Sequence, residues 1–140
     1  MKELYFQADS DLLKLRFVSA SKRGRSFEVS LEVGSRGFFG RHGEVHFLHS
    51  DYAKFVTSLR ALDKTRQGVA RLEAMSPGEL WIEILSVDKL GHIHLQGLVT
   101  QESSIRPRRL WNSIGFDIEL DPSTFPRIVR QFEDFPTEAR

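Results

Sequence analysis

Between Glu79 and Thr100 the chain carries two alternating apolar stretches separated by a turn, and this pair constrains the fold more than any other segment. Leu80, Ile82 and Ile84 share one face of the first stretch; Ile93, Leu95, Gly97 and Val99 share one face of the second. A repeat of two is the mark of a strand with one buried side. Between them, Val87 to Gly91 supplies turn chemistry: Asp88 can bond its own backbone, and Gly91 can take a positive φ. The two strands form a hairpin at the centre of an antiparallel sheet.

The remaining strands follow the same rule. Leu4–Gln7 and Leu12–Val18 read as an opening hairpin turned by Ala8 to Asp11, and Ser19–Arg25 as a basic polar loop. Phe27, Val29, Leu31 and Val33 alternate with Glu28, Ser30 and Glu32 in the clearest strand of the chain. Gly34–Gly37 is a turn, and the glycines of Phe38–Gly43 predict a bulged or bent strand. Glu44–His49, Val69–Met75 and Leu110–Leu120 complete the set, the last with Ile114, Phe116, Ile118 and Leu120 inward.

Two helices are expected. The first is capped by Ser50, with Asp51 favouring the positive end of the helix dipole, and runs to about Leu62. Tyr52, Phe55, Val56, Leu59 and Leu62 form its apolar stripe. The second starts near Ser123 or Thr124, because Pro126 is tolerated only in a first turn, and runs to about Phe135. The fold class is therefore α+β: one domain over residues 1–140, with a seven- or eight-stranded antiparallel sheet and two helices packed on its apolar face. Glu44–Leu62 and Phe116–Phe135 share one plan, strand then cap then helix, which either a duplication or two independent units would produce.

A chain of 140 residues can bury a core without staples, and with no cysteine it has neither disulfides nor thiolate chemistry. No apolar run is long enough to cross a bilayer as a helix, and the charged start has no signal-peptide character. The expected location is the cytosol. A formal net charge of +1 gives no general drive toward nucleic acid or membrane.

Candidate chemistry is sparse. His92 and His94 lie two apart on a strand, and with Glu83 beside them they could chelate a divalent ion; a solvated sheet face is the plainer reading. His42, His46 and His49 do not converge in parity. The glycines around Arg36 and Arg41 precede a strand rather than a helix, so they do not make a phosphate loop. Lys22, Arg23, Arg25, Arg36, Arg41, Arg106, Arg108 and Arg109 are balanced by as many acids and lack the aromatic interleaving of RNA readers. No pattern argues for catalysis or for a cofactor.

Several pieces together resemble the WapI-type bacterial immunity proteins. They are Phe39-Gly40-Arg41 before an alternating strand, the Tyr52/Phe55/Leu59/Leu62 helix, and Asp88 to Ile93 with Gly97 four residues later. A strand ending at Asp121 and the Thr124-Phe125-Pro126 helix start, with Ile128 and Gln131, complete the set. The similarity runs from about Arg25 to Phe135; Glu102–Asn112 departs from it in being longer and more basic. The resemblance implies a non-enzymatic cytosolic antidote that binds and blocks the toxic C-terminal domain of a polymorphic toxin. It carries no active-site residues with it. On chemistry alone, Trp81, His92, His94, Arg106, Arg108, Arg109 and Trp111 are the expected partner contacts, because large aromatics and arginines dominate interface energetics. Two other classes compete: a small-ligand or metal-binding domain using the His92/His94 face, and a structural protein that pairs with itself as a homodimer.

Overall fold

The computed structural model describes residues 3–103 and 110–136. Eight strands form two antiparallel four-stranded sheets, so the expected strand number stands but is divided between two layers. The first sheet is a meander of β1 (Glu3–Ala8), β2 (Asp11–Ala20), β3 (Ser26–Ser35) and β4 (Phe38–Leu48). Helix α1 (His49–Thr65) follows. The second sheet is a meander of β5 (Val69–Glu73), β6 (Leu80–Ser86), β7 (Ile93–Ser103) and β8 (Leu110–Leu120), followed by a 3-10 turn (Pro122–Thr124) and α2 (Phe125–Asp134). Each half of the chain is thus four strands and a helix, a fuller version of the repeated plan read from the sequence.

Period-2 alternation explains the layering. Phe27, Val29, Leu31 and Val33 of β3 are all buried, as are Leu80, Ile82 and Ile84 of β6 and Ile93 and Leu95 of β7. The inner faces of both sheets and the stripes of both helices merge in one apolar cluster, with no buried polar or charged residue among those described. β8 lies across the inner face of the first sheet and touches all four of its strands. At one end, the Asp11 carboxylate in the β1–β2 turn accepts the Asp117 N–H (2.9 Å). At the other, Ile114 sits so close to Gly40 that a β-carbon on Gly40 would lie 2.8 Å from its Cδ1.

The helices fill the end of the core that β8 leaves open. Phe132 of α2 stacks on Phe6 at 5.5 Å between ring centroids and meets Phe55 of α1 edge-on at 5.3 Å. Phe135 contacts Phe17 and Phe27, and Phe27 also meets Tyr52. Arg66 ties the helices together from outside: its Nη1 donates to the Pro122 carbonyl (3.0 Å), and its guanidinium lies over the Phe125 ring.

Two helix boundaries differ from the sequence reading. Ser50 does not cap α1; the helix begins at His49 after Leu48, without a side-chain cap. The reason is tertiary: the His49 N–H donates to the Arg25 carbonyl (2.9 Å) and its ring packs on Phe27, so the residue just before β3 takes over the cap's task. At its other end α1 runs to Thr65, three residues past Leu62, and closes on Arg66 in the left-handed region. The bulge expected in Phe38–Gly43 is present at its edge. Gly43 and Glu44 together oppose Ser30, between the pairs Leu31↔His42 and Val29↔Val45, and Glu44 has φ 64°.

The Tyr52 hydroxyl donates to the Phe132 carbonyl (2.5 Å), and burial pushes this phenol above its usual range, so it stays a donor. Tyr52→Phe leaves that carbonyl unsatisfied and should cost about 1–2 kcal/mol in urea unfolding. An unchanged midpoint would mean that this hydrogen bond contributes nothing to joining the two helices.

Candidate functional site

Because the helices close one end of the core, the other end, where the β3–β4 turn approaches β7 and β8, opens as a cleft of about 520 Å³. Phe38, Phe39, Gly40, Arg41 and His42 of β4 form one wall; Gln101 of β7 and Asn112, Ser113 and Ile114 of β8 form the other, over Val33 and Val99. Phe38 is 75% exposed and Phe39 56%, unusually open for large aromatics in regular strands. The alternation of β4 sends Phe39 and Arg41 to the outer face of the sheet, and Phe38, Gly40 and His42 to the inner side. Arg41 reaches Glu32 through Nε at 3.3 Å. His42 Nε2 lies 3.5 Å from Glu79 Oε2 across the seam between the sheets, and its buried Nδ1 has no hydrogen-bond partner among the described residues.

The candidates read from the sequence lie elsewhere. Trp81 is partly buried on the outer face of the second sheet, with the Arg71 guanidinium 4.8 Å from its ring. Arg71 also donates to Glu83 (2.6 Å), and Glu83 accepts from Gln96, its partner across the strands. His94 pairs through Nδ1 with Asp117 on β8 (2.7 Å). His92 precedes β7 and sits in the turn with Asp88. His92, His94 and Glu83 therefore have three separate sets of partners, and the chelating set considered for them does not form. No group of three or more metal-ligating side chains occurs among the described residues. Arg106, Arg108 and Arg109 fall outside the described residues; Trp111 is placed by its backbone alone, opposite Glu102 in the ladder.

The exposed Phe38-Phe39 pair was missed by sequence reasoning, which assigned it to a bulged strand. The available signal was two adjacent aromatics directly after a Gly-ended turn, since in any strand one of the two must point away from the core.

The β6–β7 turn is built as the sequence suggested. The Asp88 carboxylate accepts the Leu90 N–H (2.8 Å) and binds His92 Nδ1 (2.5 Å), and Gly91 takes φ 90°. The hydrogen bond and charge of Asp88 raise His92 above its ordinary 6.5, and the same ring holds Asp88 below its ordinary 3.8. The stabilisation from His92 is complete below pH 6.5 and fades as pH rises through the raised value. That from Asp88 is complete above pH 3.8 and fades as pH falls through the lowered one. The pair is intact in the window between those two values. An NMR titration should place the His92 midpoint above 6.5, and Asp88→Asn should lower it. A midpoint indifferent to Asp88→Asn would remove the pair.

Residues 6–135 match the model of a family described as the immunity protein WapI-like family, a span that runs from β1 into the end of the last helix. No curated protein matches the chain. No helix among the described residues is long and apolar enough to cross a membrane.

Proposed function

The chain belongs to the WapI-like immunity protein family, and from this premise we propose that it binds and neutralises a cognate toxin domain by stoichiometric contact rather than by catalysis. The family match across both sheets and both helices is the observation that carries the proposal. The toxin is the C-terminal domain of a polymorphic toxin, and the encounter takes place in the cytosol. The protein acts as a single folded unit, without a cofactor. Trp81, His92, His94 and Trp111, with Arg106, Arg108 and Arg109, are proposed contacts; the open Phe38-Phe39 cleft joins them, because large aromatic side chains dominate interface energetics.

The test is affinity capture with the purified chain against cell and culture fractions of its source, read by mass spectrometry. The expected result is the C-terminal part of a large secreted protein, in one-to-one amount. Producing that domain and this chain in one cell should then restore growth in proportion to the amount of chain. Protection at far below equimolar amounts would mean turnover and would overturn the proposal.

A further inference from the structure

We propose that the free edge of β4 from Phe38 to His42 accepts an extended segment of another protein as an added strand, a segment both apolar and acidic. Side chains on a strand alternate between faces. A cleft lined by five consecutive residues, Phe38 to His42, must therefore run along the main chain at the strand's edge.

β4 is the outermost strand of its sheet. Among the described residues, the backbone bond on its free side is that from the Met75 N–H to the His46 carbonyl (2.8 Å), beyond the bulge at Gly43 and Glu44. Exposed edges are ordinarily blunted by proline, by inward charges or by a covering element, since an open row of N–H and C=O groups recruits strands. Phe38–His42 has no proline, Gly40 has no side chain, and the two phenylalanines on either side of the backbone are open. The bulge ends the stretch after about one short strand's length.

Charge selects the occupant. From Arg36 to Gly43 there is no acidic residue; Arg41 meets Glu32 of β3 through Nε, yet its side chain is still 76% exposed. Two copies of this edge would bring cation against cation, whereas a strand carrying Asp or Glu opposite Arg41 is attracted. On the cleft side, Val99 and Ile114 favour an apolar residue, while Gln101 and Asn112 offer hydrogen bonds at the rim. Strand addition of this kind takes its affinity from the main chain and its specificity from alternate side chains. Assigning the segment to a toxin rests on the immunity reading; the edge itself does not.

The experiment is panning of the full chain against a phage-displayed library of random dodecapeptides. Enriched peptides should alternate apolar residues with Asp or Glu and should slow hydrogen exchange at residues 38–42. Phe39→Asp and Arg41→Glu should each weaken them at least about thirtyfold, the scale of an interface hot spot, while Arg41→Lys retains binding. Both side chains are exposed, so thermal unfolding of Phe39→Asp should match the parent, and Arg41→Glu, which faces Glu32 across the ladder, should lower it only slightly. No enrichment, protection elsewhere, or binding indifferent to both variants would overturn the proposal. So would a dimer of the chain that Arg41→Glu dissolves, since the occupant would then be a second copy. Peptide binding at β4 without any captured toxin supports the edge and counts against the immunity reading. A captured toxin indifferent to Arg41→Glu overturns its assignment to this edge.

Discussion

Phe132→Ala should remove about 3–5 kcal/mol of stability, among the larger losses expected from a single truncation in this chain. The side chain is fully buried and takes part in two ring contacts, with Phe6 from the first strand and Phe55 from the first helix. Both the transfer of the ring from water and the cavity left among stiff neighbours contribute, and aromatic pairs add about 0.5–1.5 kcal/mol beyond area. A domain of this size has roughly 5–15 kcal/mol in total, so the variant should sit near the edge of folding at body temperature. Urea unfolding followed by circular dichroism gives the number. Phe6→Ala in the same background tests the coupling, because rings in contact should not be additive. A loss below about 1 kcal/mol would mean that α2 is not what closes the first sheet.

Gly97→Ala should cost about 2–3 kcal/mol although it adds only one methyl group. A β-carbon at Gly97 would lie 2.5 Å from Cζ of Phe116, its direct partner across the ladder, and nearer still to the Trp81 carbonyl oxygen. The ring can turn aside; the carbonyl belongs to the neighbouring strand β6 and can move only with its backbone. Phe116→Leu should therefore relieve only part of the cost. Gly115→Ala is the matched control, since its β-carbon would meet nothing nearer than the Gly97 carbonyl at 3.7 Å. Thermal unfolding of the two variants should separate them by on the order of 10 °C. Equal midpoints would show that the β6–β7–β8 ladder yields at this point.

Where apolar alternation governs, the structure was legible beforehand. β3, β6, β7 and β8 lie where period-2 patterns put them, and the helix stripe of Tyr52–Leu62 faces the core. Relations between distant residues were not legible. Gly97 was placed on the inner face, but that its missing side chain houses Phe116 depends on the β7–β8 register. Ser50 had the chemistry of a cap and lost that place to the distant carbonyl of Arg25, which takes the His49 N–H. Division into two sheets left no trace in the pattern, because both layers present the same alternation to one core. The site was hardest. His92 and His94 drew attention by residue type, yet each is held by its own carboxylate. The Phe38-Phe39 cleft depends on β8 crossing the first sheet, with Ile114 against Gly40 and Asn112 and Ser113 in the facing wall.

The exchange of aromatic rings between the ends of the chain has a consequence for biosynthesis. Phe6, Phe17 and Phe27 are completed by Phe132 and Phe135, more than a hundred residues later. While the ribosome is still translating the second half, the first four strands have no lid for those rings. Contacts of such long separation form late and slowly. The nascent chain must hold its opening sheet in suspense until the final helix emerges, and a message cut short before Phe125 would yield a polypeptide suited to a protease rather than to a partner.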